Sequence, residues 1–318
     1  MSAPTLDRAP ARVAAPRPGG LVRTVLRLHR TALVIWLAFV VLTAALLLWL
    51  DGPRAEAPRK LLEKLGYGGI QETASSTLLG YFDLGTYNDL FYNPDTLLTL
   101  GSFAIALFAG GPLIARELES GTAQLVWGQS VSPARWLAVK LAVPACFVVL
   151  GTGLLTLLYR QLWSDHANLL IAGIGPRSLY YSLGPATVAA PLLGLALGAL
   201  IGLLARKVLP ALAFSGFAYF LVYAFRGNHW PFQGRYQTPE LHSRSGAITS
   251  TGREISDPGC YTDQACLAKH DIVRFTRQYL PSPDYWPRQL LETGVLLGLT
   301  VLAVALAFAV LRRRAVAP

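Results

Sequence analysis

Charged side chains are scarce in this sequence of 318 residues. Asp, Glu, Lys and Arg make up 14% of it, whereas ordinary soluble domains contain about 25%. Hydrophobic residues account for 53%. So few charges beside so many apolar residues are typical of a membrane protein, and they exclude an ordinary soluble domain.

Charge is absent altogether from six apolar runs of 18 to 23 residues. About 20 helical residues cross a bilayer core of about 30 Å. Helices are expected because lipid offers no partner to an unpaired backbone group. Arg206-Lys207 predicts a tight turn between the fourth and fifth runs, which together are too long for one span. The predicted spans are 31–50, 96–115, 141–159, 183–205, 208–225 and 293–311.

Several residues that carry chemistry in other membrane proteins are missing. The six runs contain no Asp, Glu or His, which argues against an ion-driven transporter, although backbone carbonyls can bind sodium without them. Glu292, beside the last run, is expected to be solvated or to cap a helix. The chain has no Gly-Lys pair, and therefore no P-loop for ATP phosphates. No His spacing suits a metal and no Ser lies in a nucleophile elbow, so we predict no metal site and no enzyme, with Asp165-His166 as the only candidate pair.

Basic and acidic residues are distributed unequally between the two sides of a six-span protein. Of the 28 Lys and Arg, 14 lie on the side of the termini, in about half the length that holds the other 14. Asp7, Glu117 and Glu119 are the only acidic residues on that side. Because Lys and Arg in short flanks favour the cytoplasm, we predict that both termini are cytoplasmic. The net charge of +10 then reflects this bias and contact with membrane lipid, and no nucleic-acid motif accompanies it.

The residues before the first run divide into two parts. Residues 1–20 are rich in Ala, Pro, Arg and Gly and predict a disordered basic arm. A cleaved signal peptide is the alternative, but the first run exceeds the roughly 7–15 apolar residues of such peptides. Residues 21–30 predict an amphipathic interfacial helix, with a merely basic flank as the alternative. Its polar face would hold Arg23, Arg27 and Arg30, opposite Leu21, Val22, Val25, Leu26 and Leu28.

Two long polar segments, 51–95 and 226–292, lie on the exterior side. The first carries Tyr and Phe residues that suit an interfacial aromatic belt, and a ligand-binding role is the alternative. In the second, Ile272, Phe275 and Tyr279 share one face of a helix. We therefore predict an exterior helical segment before the last span.

Cysteine and glycine spacings predict two further contacts. Cys260 and Cys266 lie on the oxidising side and predict a disulfide, with two free thiols as the alternative. Small residues at every fourth position of the fourth run let another helix approach closely, within one subunit or between two. These are Gly194, Gly198 and Gly202.

A polar loop, residues 116–140, separates the second run from the third. We predict a short helix that breaks near Gly128 and Pro133 and resumes before Trp136. Glu117 and Glu119 would offer acceptors to basic groups of a partner. An ordinary cytoplasmic loop with charges at its helix ends is the alternative.

This loop resembles the cytoplasmic loop after the second span in permease subunits of type-2 ABC transporters. The family pattern is an Arg/Glu pair, a Glu, Gly-Thr, a Leu, a Val-Ser-Arg-like turn and a Lys. Gly128-Gln129-Ser130 departs from it, since the family commonly has an apolar or Pro-containing run there. The matching residues are Arg116, Glu117, Glu119, Gly121, Thr122, Leu125, Val131, Ser132, Arg135 and Lys140.

The resemblance implies a multi-pass permease in the plasma membrane, an all-α protein of six spans over residues 21–314 that works in export. ATP and Mg would be bound by a separate ATP-binding subunit, with no cofactor in this chain. A second copy or a paralogue would complete the transporter, and the amphipathic helix would be a connecting helix beside the ATPase. The residues implied to couple to the ATPase are Arg116, Glu117, Leu118, Glu119, Gly121, Thr122, Leu125, Arg135 and Lys140.

Two other classes of protein stay open. A non-transporting sensor or immunity protein would use the exterior segment 226–292, and a membrane-embedded enzyme would depend on Asp165 and His166. For a transporter, a lipid, a drug or a peptide is each compatible with apolar spans. Abundant Ala, Leu, Arg and Gly with little Lys predicts a GC-rich bacterial, actinobacterial-like source.

Overall fold

Long apolar helices form the body of the protein in a computed structural model. The structure describes residues 18–65, 81–128, 131–166, 169–170, 180–228, 236–237, 246–255, 258, 264–277 and 282–316. The helices of the first half are α1 (Pro18–Leu28), α2 (Arg30–Asp51), α3 (Pro53–Lys64), α4 (Phe82–Phe91), α5 (Asn93–Ala104), a π-helical segment (Ile105–Gly110), α6 (Gly111–Glu119), α7 (Thr122–Gly128) and α8 (Pro133–His166). The second half contains α9 (Ala186–Ala205), α10 (Val208–Asn228), β1 (Tyr236–Gln237), β2 (Gly246–Thr249), β3 (Glu254–Ile255), α11 (Gln264–Lys269), β4 (Ile272–Arg277) and α12 (Ser282–Val316).

Within these described ranges, six helical stretches are long and apolar enough to cross a membrane. Each includes most of one predicted apolar run, so the prediction of a six-span helical membrane protein is confirmed. Five of the stretches are longer than the runs because further helical residues extend them at their ends, whereas the fourth begins three residues after its run. In chain order the first to sixth spans are Arg30–Lys64, Phe82–Glu119, Pro133–His166, Ala186–Ala205, Val208–Gly227 and Tyr285–Arg314.

The fourth span, α9, lies at the centre of the bundle. Inside the protein, 61% of its apolar window is buried, against 17–39% for the other five spans. Its neighbours include α12, α10, α8 and the second span. The helix ends at Arg206, which has a left-handed φ of 57°, and α10 begins at Val208. The predicted tight turn at residues 206–207 is therefore present.

The second span is interrupted at its middle by the π-helical segment Ile105–Gly110. Pro112 lies two residues after the segment and has no N–H to donate to the carbonyl of residue 108, which favours a wider turn at this point. Two glycines, Gly110 and Gly111, join the segment to α6. The span thus combines a wide turn with a stretch of bare backbone that faces α9.

The bundle has two distinct ends. α1, the 116–140 loop, the 206–207 turn and the end of α12 meet at one, where Glu119 contacts Val208 and Arg314 donates to the Leu203 carbonyl. We call this the basic end. Residues 51–65, the strands and the start of α12 mark the opposite end, which we call the sheet end. The side of the membrane that each end faces stays a prediction.

Four short strands at the sheet end form one antiparallel sheet in the order β1-β4-β2-β3. β2 pairs with β4 at Ala247 and Phe275, and with β3 at Ala247 and Ile255. The prediction that Ile272 and Phe275 share a helical face is wrong, because residues 272–277 form strand β4. Their sequence, Ile-Val-Arg-Phe-Thr-Arg, is rich in β-branched residues that fit a pleated surface better than a helix. Tyr279 lies outside the described residues.

Helices do precede the last span on this side. α11 covers Gln264–Lys269, and α12 begins at Ser282, several residues before the apolar run. The exterior segment 226–292 is thus a mixture of strands and helices. Of the predicted disulfide, Cys266 is disulfide-bonded, whereas Cys260 lies outside the described residues.

Candidate functional site

The 116–140 loop is built as two short helices joined by a glycine turn. α6 ends at Glu119, Gly121 has a left-handed φ of 73°, and α7 starts at Thr122. A side chain at this φ would strain the backbone, so glycine suits the turn. α7 ends at Gly128 and α8 begins at Pro133, close to the predicted break. Two of the predicted coupling residues, Gly121 and Thr122, therefore set the shape of the loop.

Glu117 faces the interior of the protein and binds α8. Its carboxylate accepts a hydrogen bond from Trp136 Nε1 at 2.9 Å and pairs with the Lys140 ammonium. Only 13% of the Glu117 side chain and 3% of the Lys140 side chain are exposed. The expectation that Glu117 offers an acceptor to a partner is therefore wrong. A buried ammonium requires a paired carboxylate, and Lys140 takes this one.

Glu119 binds the neighbouring turn of the same chain. Its Oε2 accepts a hydrogen bond from the backbone N–H of Val208 at 2.8 Å. Val208 is the first residue of α10, where the N–H groups lack helical partners and the helix dipole favours a negative charge. Although Glu119 is exposed, one of its oxygens is thus occupied, and the residue connects the loop to the fifth span.

His29 lies beside the Glu117–Lys140 pair, between α1 and α2. Burial lowers the pKa of the imidazole, the Lys140 and Arg116 cations lower it further, and Glu117 opposes them. Its Nε2 is buried and has no hydrogen-bond partner among the residues that the structure describes. The imidazole therefore favours its neutral form where the connecting helix joins the first span.

The outer surface of the loop is basic and apolar. Arg116, Thr122 and Arg135 are exposed, Leu118 is half-buried, and Leu125 exposes 67% of its surface. An exposed apolar side chain on a loop that also exposes cations is a common feature of a contact surface. We call Arg116, Leu125 and Arg135 the loop surface.

The predicted connecting helix corresponds to α1, which begins at Pro18. Residues 18–20 are thus helical and not part of a disordered arm, while residues 1–17 lie outside the described range. Val25 is buried, whereas Arg23, Arg27 and Arg30 are exposed. The three arginines add positive charge to the basic end.

The glycine ridge of α9 packs against the second span of the same chain. A Cβ added to Gly198 would lie 2.6 Å from the Gly110 Cα, and one added to Gly202 would lie 2.5 Å from the Gly111 carbonyl oxygen. At Gly194 an added Cβ would lie 3.0 Å from Ala106 Cβ. The two helices therefore touch through their backbones beside the π-helical segment.

At the sheet end, Asp165 and His166, the pair considered for an enzyme, do not bind each other. Asp165 accepts a hydrogen bond from Gln161. The buried His166 instead donates from Nε2 to the Asp51 carbonyl at 2.7 Å and accepts at Nδ1 from Arg59 at 3.2 Å. The two neighbours thus turn in different directions. Across the described ranges, no three His, Cys, Asp or Glu side chains gather where they could hold a metal ion.

Sequence reasoning missed the most deeply buried ion pair of the sheet end. Glu292 is 0% exposed and its Oε1 lies 2.6 Å from Arg226 Nε, so the expectation of a solvated side chain is wrong. Arg226 also stacks on Tyr181, with 4.9 Å from its Cζ to the ring centroid. The signal was available: one residue after the fifth run is basic, one before the sixth is acidic, and isolated opposite charges at neighbouring membrane edges favour pairing.

Comparison with known proteins gives one match. The family model described as "ABC-2 membrane transporter related" matches residues 37–227, which is more than half of the chain. The match starts within the first span and ends with the fifth, and it includes the whole 116–140 loop. No curated protein and no solved structure matches the chain significantly.

Proposed function

This chain belongs to the ABC-2 membrane transporter related family, and we propose that it is the permease subunit of an ATP-driven exporter, coupled to a separate ATPase through the 116–140 loop. The family makes it a membrane transporter component with an ATP-binding partner. Its six spans make it a multi-pass membrane protein. ATP and Mg would bind in the partner, because the chain has no P-loop sequence.

One observation carries the proposal: a single loop is bonded to two other spans. Glu117 at the end of the second span binds Trp136 and Lys140 of the third, and Glu119 binds the first N–H of the fifth. A force on α7 is therefore transmitted to three spans at once. Mechanical coupling to a soluble motor needs such a connection.

The loop surface indicates the chemistry of the partner. Two thirds of the surface of Leu125 is exposed, and Arg116 and Arg135 of the same loop are exposed cations. An acidic cleft with an apolar floor would be complementary to them. The exposed Arg23 and Arg27 of α1 extend the same charge at the basic end. Glu117, Glu119 and Lys140 hold the loop in place and do not make the contact.

The rest of the assembly follows from this proposal. Two copies of the chain, or one copy and a paralogue, would pair with two ATPase subunits in the plasma membrane and contact lipid through their apolar faces. Closure of the ATPases would move the basic end and rearrange the spans for export.

The test is co-purification of the partner with the tagged full-length chain in mild detergent. Leu125→Ala should weaken retention of a P-loop ATPase about five- to thirtyfold, because removing a central apolar anchor costs about 1–2 kcal/mol. Leu100→Ala is the matched control, since Leu100 exposes 59% of its surface within the second span. Both variants should reach the membrane in equal amounts.

The opposite result is equally clear. If no ATPase is retained by the wild-type chain even after crosslinking, or if Leu125→Ala and Leu100→Ala retain the same amount, the coupling surface is misassigned. The first outcome would favour a sensor or immunity protein.

A further inference from the structure

A cavity of about 420 Å³ lies between the second, fourth and fifth spans near the sheet end. It has no role in the coupling described above. Its wall combines charged, hydroxyl and aromatic side chains, which is unusual for a site among apolar helices. The residues that the argument uses are Asp95, Tyr181, Ser182, Tyr219, Tyr223 and Arg226.

The cavity wall contains a carboxylate that is only half satisfied. Asp95 receives a hydrogen bond from the Ser182 hydroxyl at Oδ1, and the described residues offer its Oδ2 no donor. The nearest basic wall residue, Arg226, already neutralises Glu292. Among the described residues Asp95 therefore has no cation of its own, and its carboxylate favours a cationic ligand group in the cavity.

Aromatic rings strengthen the preference for a cation. Tyr219 and Tyr223 line the cavity, and both rings pack edge-on against Phe103. Tyrosine faces attract ammonium groups, and more strongly where water is excluded. Tyr223 is also 46% exposed, so its side chain forms part of both the cavity wall and the outer surface of α10.

Arg226 supplies the second half of a recognition site. The residue is 9% exposed, and its Nη2 is buried without a hydrogen-bond partner within the described ranges. Buried guanidinium donors normally find acceptors. Since Arg226 lines the cavity, a ligand oxygen, best an anionic one, could bind its guanidinium while the ligand ammonium binds Asp95.

We propose that this cavity binds a small zwitterionic group, with its ammonium at Asp95 and its acidic oxygen at Arg226. A phosphoethanolamine group has this chemistry, either as the head of a phospholipid or as a free molecule. The site belongs to a single chain and requires neither the ATPase nor transport. A binding experiment on the cavity can therefore fail while the coupling proposal stands, and the reverse.

The experiment is calorimetric titration of the purified full-length chain in detergent with four short probes. Dihexanoyl phosphatidylethanolamine should bind at one saturable site. Dihexanoyl phosphatidylglycerol lacks the ammonium and hexylammonium lacks the phosphate, so each should bind about tenfold or more weakly. Glycerophosphoethanolamine has both charges without acyl chains. If it binds as tightly as the lipid, the site accepts a free molecule, and if it binds much more weakly, the site is a lipid site.

Two cavity variants and one matched control complete the test. Asp95→Asn should weaken the phosphatidylethanolamine probe about tenfold, whereas Asp89→Asn, an exposed position on α4, should leave its affinity unchanged. Tyr223→Ala provides a second cavity variant in case Asp95→Asn does not fold, and it should weaken binding through loss of the ring. Equal affinity for the ethanolamine and glycerol lipids, or equal affinity in Asp95→Asn, Tyr223→Ala and the wild type, would overturn the proposal.

Discussion

At the scale of single residues, the loop owes its position to charges that the chain neutralises itself. Glu117 and Lys140 lie on different spans and are almost completely buried. A buried ammonium without this carboxylate would be an uncompensated charge, which is costly in a protein interior. Glu117 and Lys140, which match a motif expected to bind a partner, therefore stabilise the loop within this chain.

Glu117→Ala should cost about 3–5 kcal/mol of stability, because it leaves the Lys140 ammonium buried and unpaired. The double variant Glu117→Gln with Lys140→Met should recover most of this loss, since no buried charge remains. Thermal unfolding in detergent measures both, and the single variants Glu117→Gln and Lys140→Met complete a double-mutant cycle with the double variant. Equal loss in the single and double variants would show that the pair does not act as one unit. A simple charge-removal test of ATPase binding at Glu117 would thus report misfolding.

His29 should make the basic end sensitive to acid. Its lowered folded pKa means that the unfolded chain binds the proton more readily, so the stabilisation is present above the ordinary value of about 6.5 and is lost as the pH falls below it. The thermal midpoint of the wild type should therefore drop more between about pH 7.5 and 5.5 than that of His29→Gln. His270→Gln, at an exposed position, is the control and should behave like the wild type.

At the scale of elements, the second span and α9 are joined by bare backbone. Gly110 and Gly111 on one side meet Gly198 and Gly202 on the other, and an added Cβ would collide with main-chain atoms. Main-chain atoms cannot turn aside as a flexible side chain can. This contact therefore fixes the distance between the central helix and the span that leads into the loop.

Gly198→Ala should destabilise the protein by about 1–3 kcal/mol through overpacking. Gly153→Ala is the matched control: Gly153 lies in the third span, and an added Cβ there would meet nothing within 4 Å. The control should be neutral or slightly stabilising, because alanine favours a helix over glycine. Fluorescence-detected unfolding of both variants checks this, and equal midpoints would contradict close backbone contact.

The elements differ in how far the sequence could predict them. Runs of about 20 apolar residues are decisive for spans, because no other structure satisfies their backbone in lipid. Strand β4 was predicted as part of a helix because its three apolar residues, Ile272, Val273 and Phe275, fit both the helical period of about 3.6 and the strand period of about 2. The π-helical segment had a local signal, Gly110-Gly111-Pro112, but its position depends on contact with α9, which only the folded chain creates.

The candidate site shows the same division. The motif located the loop, but the turn at Gly121 was not predicted, since the expected break lay near Gly128 and Pro133. The partners of Glu117 and Glu119 were not predictable, because they depend on which way each turn of the helix faces α8 and α10. Arg226 and Glu292 are 66 residues apart in the chain, so only the folded bundle brings them together.

At the scale of the whole molecule, the basic end contains the 116–140 loop, α1, the 206–207 turn and the arginines at the end of α12. The two ends of the bundle therefore differ in charge and in secondary structure: the basic end is cationic and helical, and the sheet end is polar and carries a small sheet. Such asymmetry is the basis of the predicted orientation.

Cysteine labelling of intact cells tests that orientation. In a Cys146→Ala background, Thr251→Cys in the turn between β2 and β3 should react with a membrane-impermeant maleimide, whereas Ser132→Cys in the loop should react only after permeabilisation. Both positions are exposed, so accessibility depends on the side of the membrane. The Cys146→Ala background alone serves as the control, and labelling of Ser132→Cys in intact cells would place the loop outside.

The π-helical segment also sets the angular phase of the second span. Each residue of an α-helix advances the side chains by about 100°, and the wide turn at Ile105–Gly110 shifts that phase between Asp95 above it and Glu117 below it. Removing one residue here would restore a regular helix and rotate one half against the other. Asp95 would then turn from the cavity, or Glu117 from Lys140. The length of this segment is thus constrained by two polar sites at opposite ends of one helix, neither of which it touches.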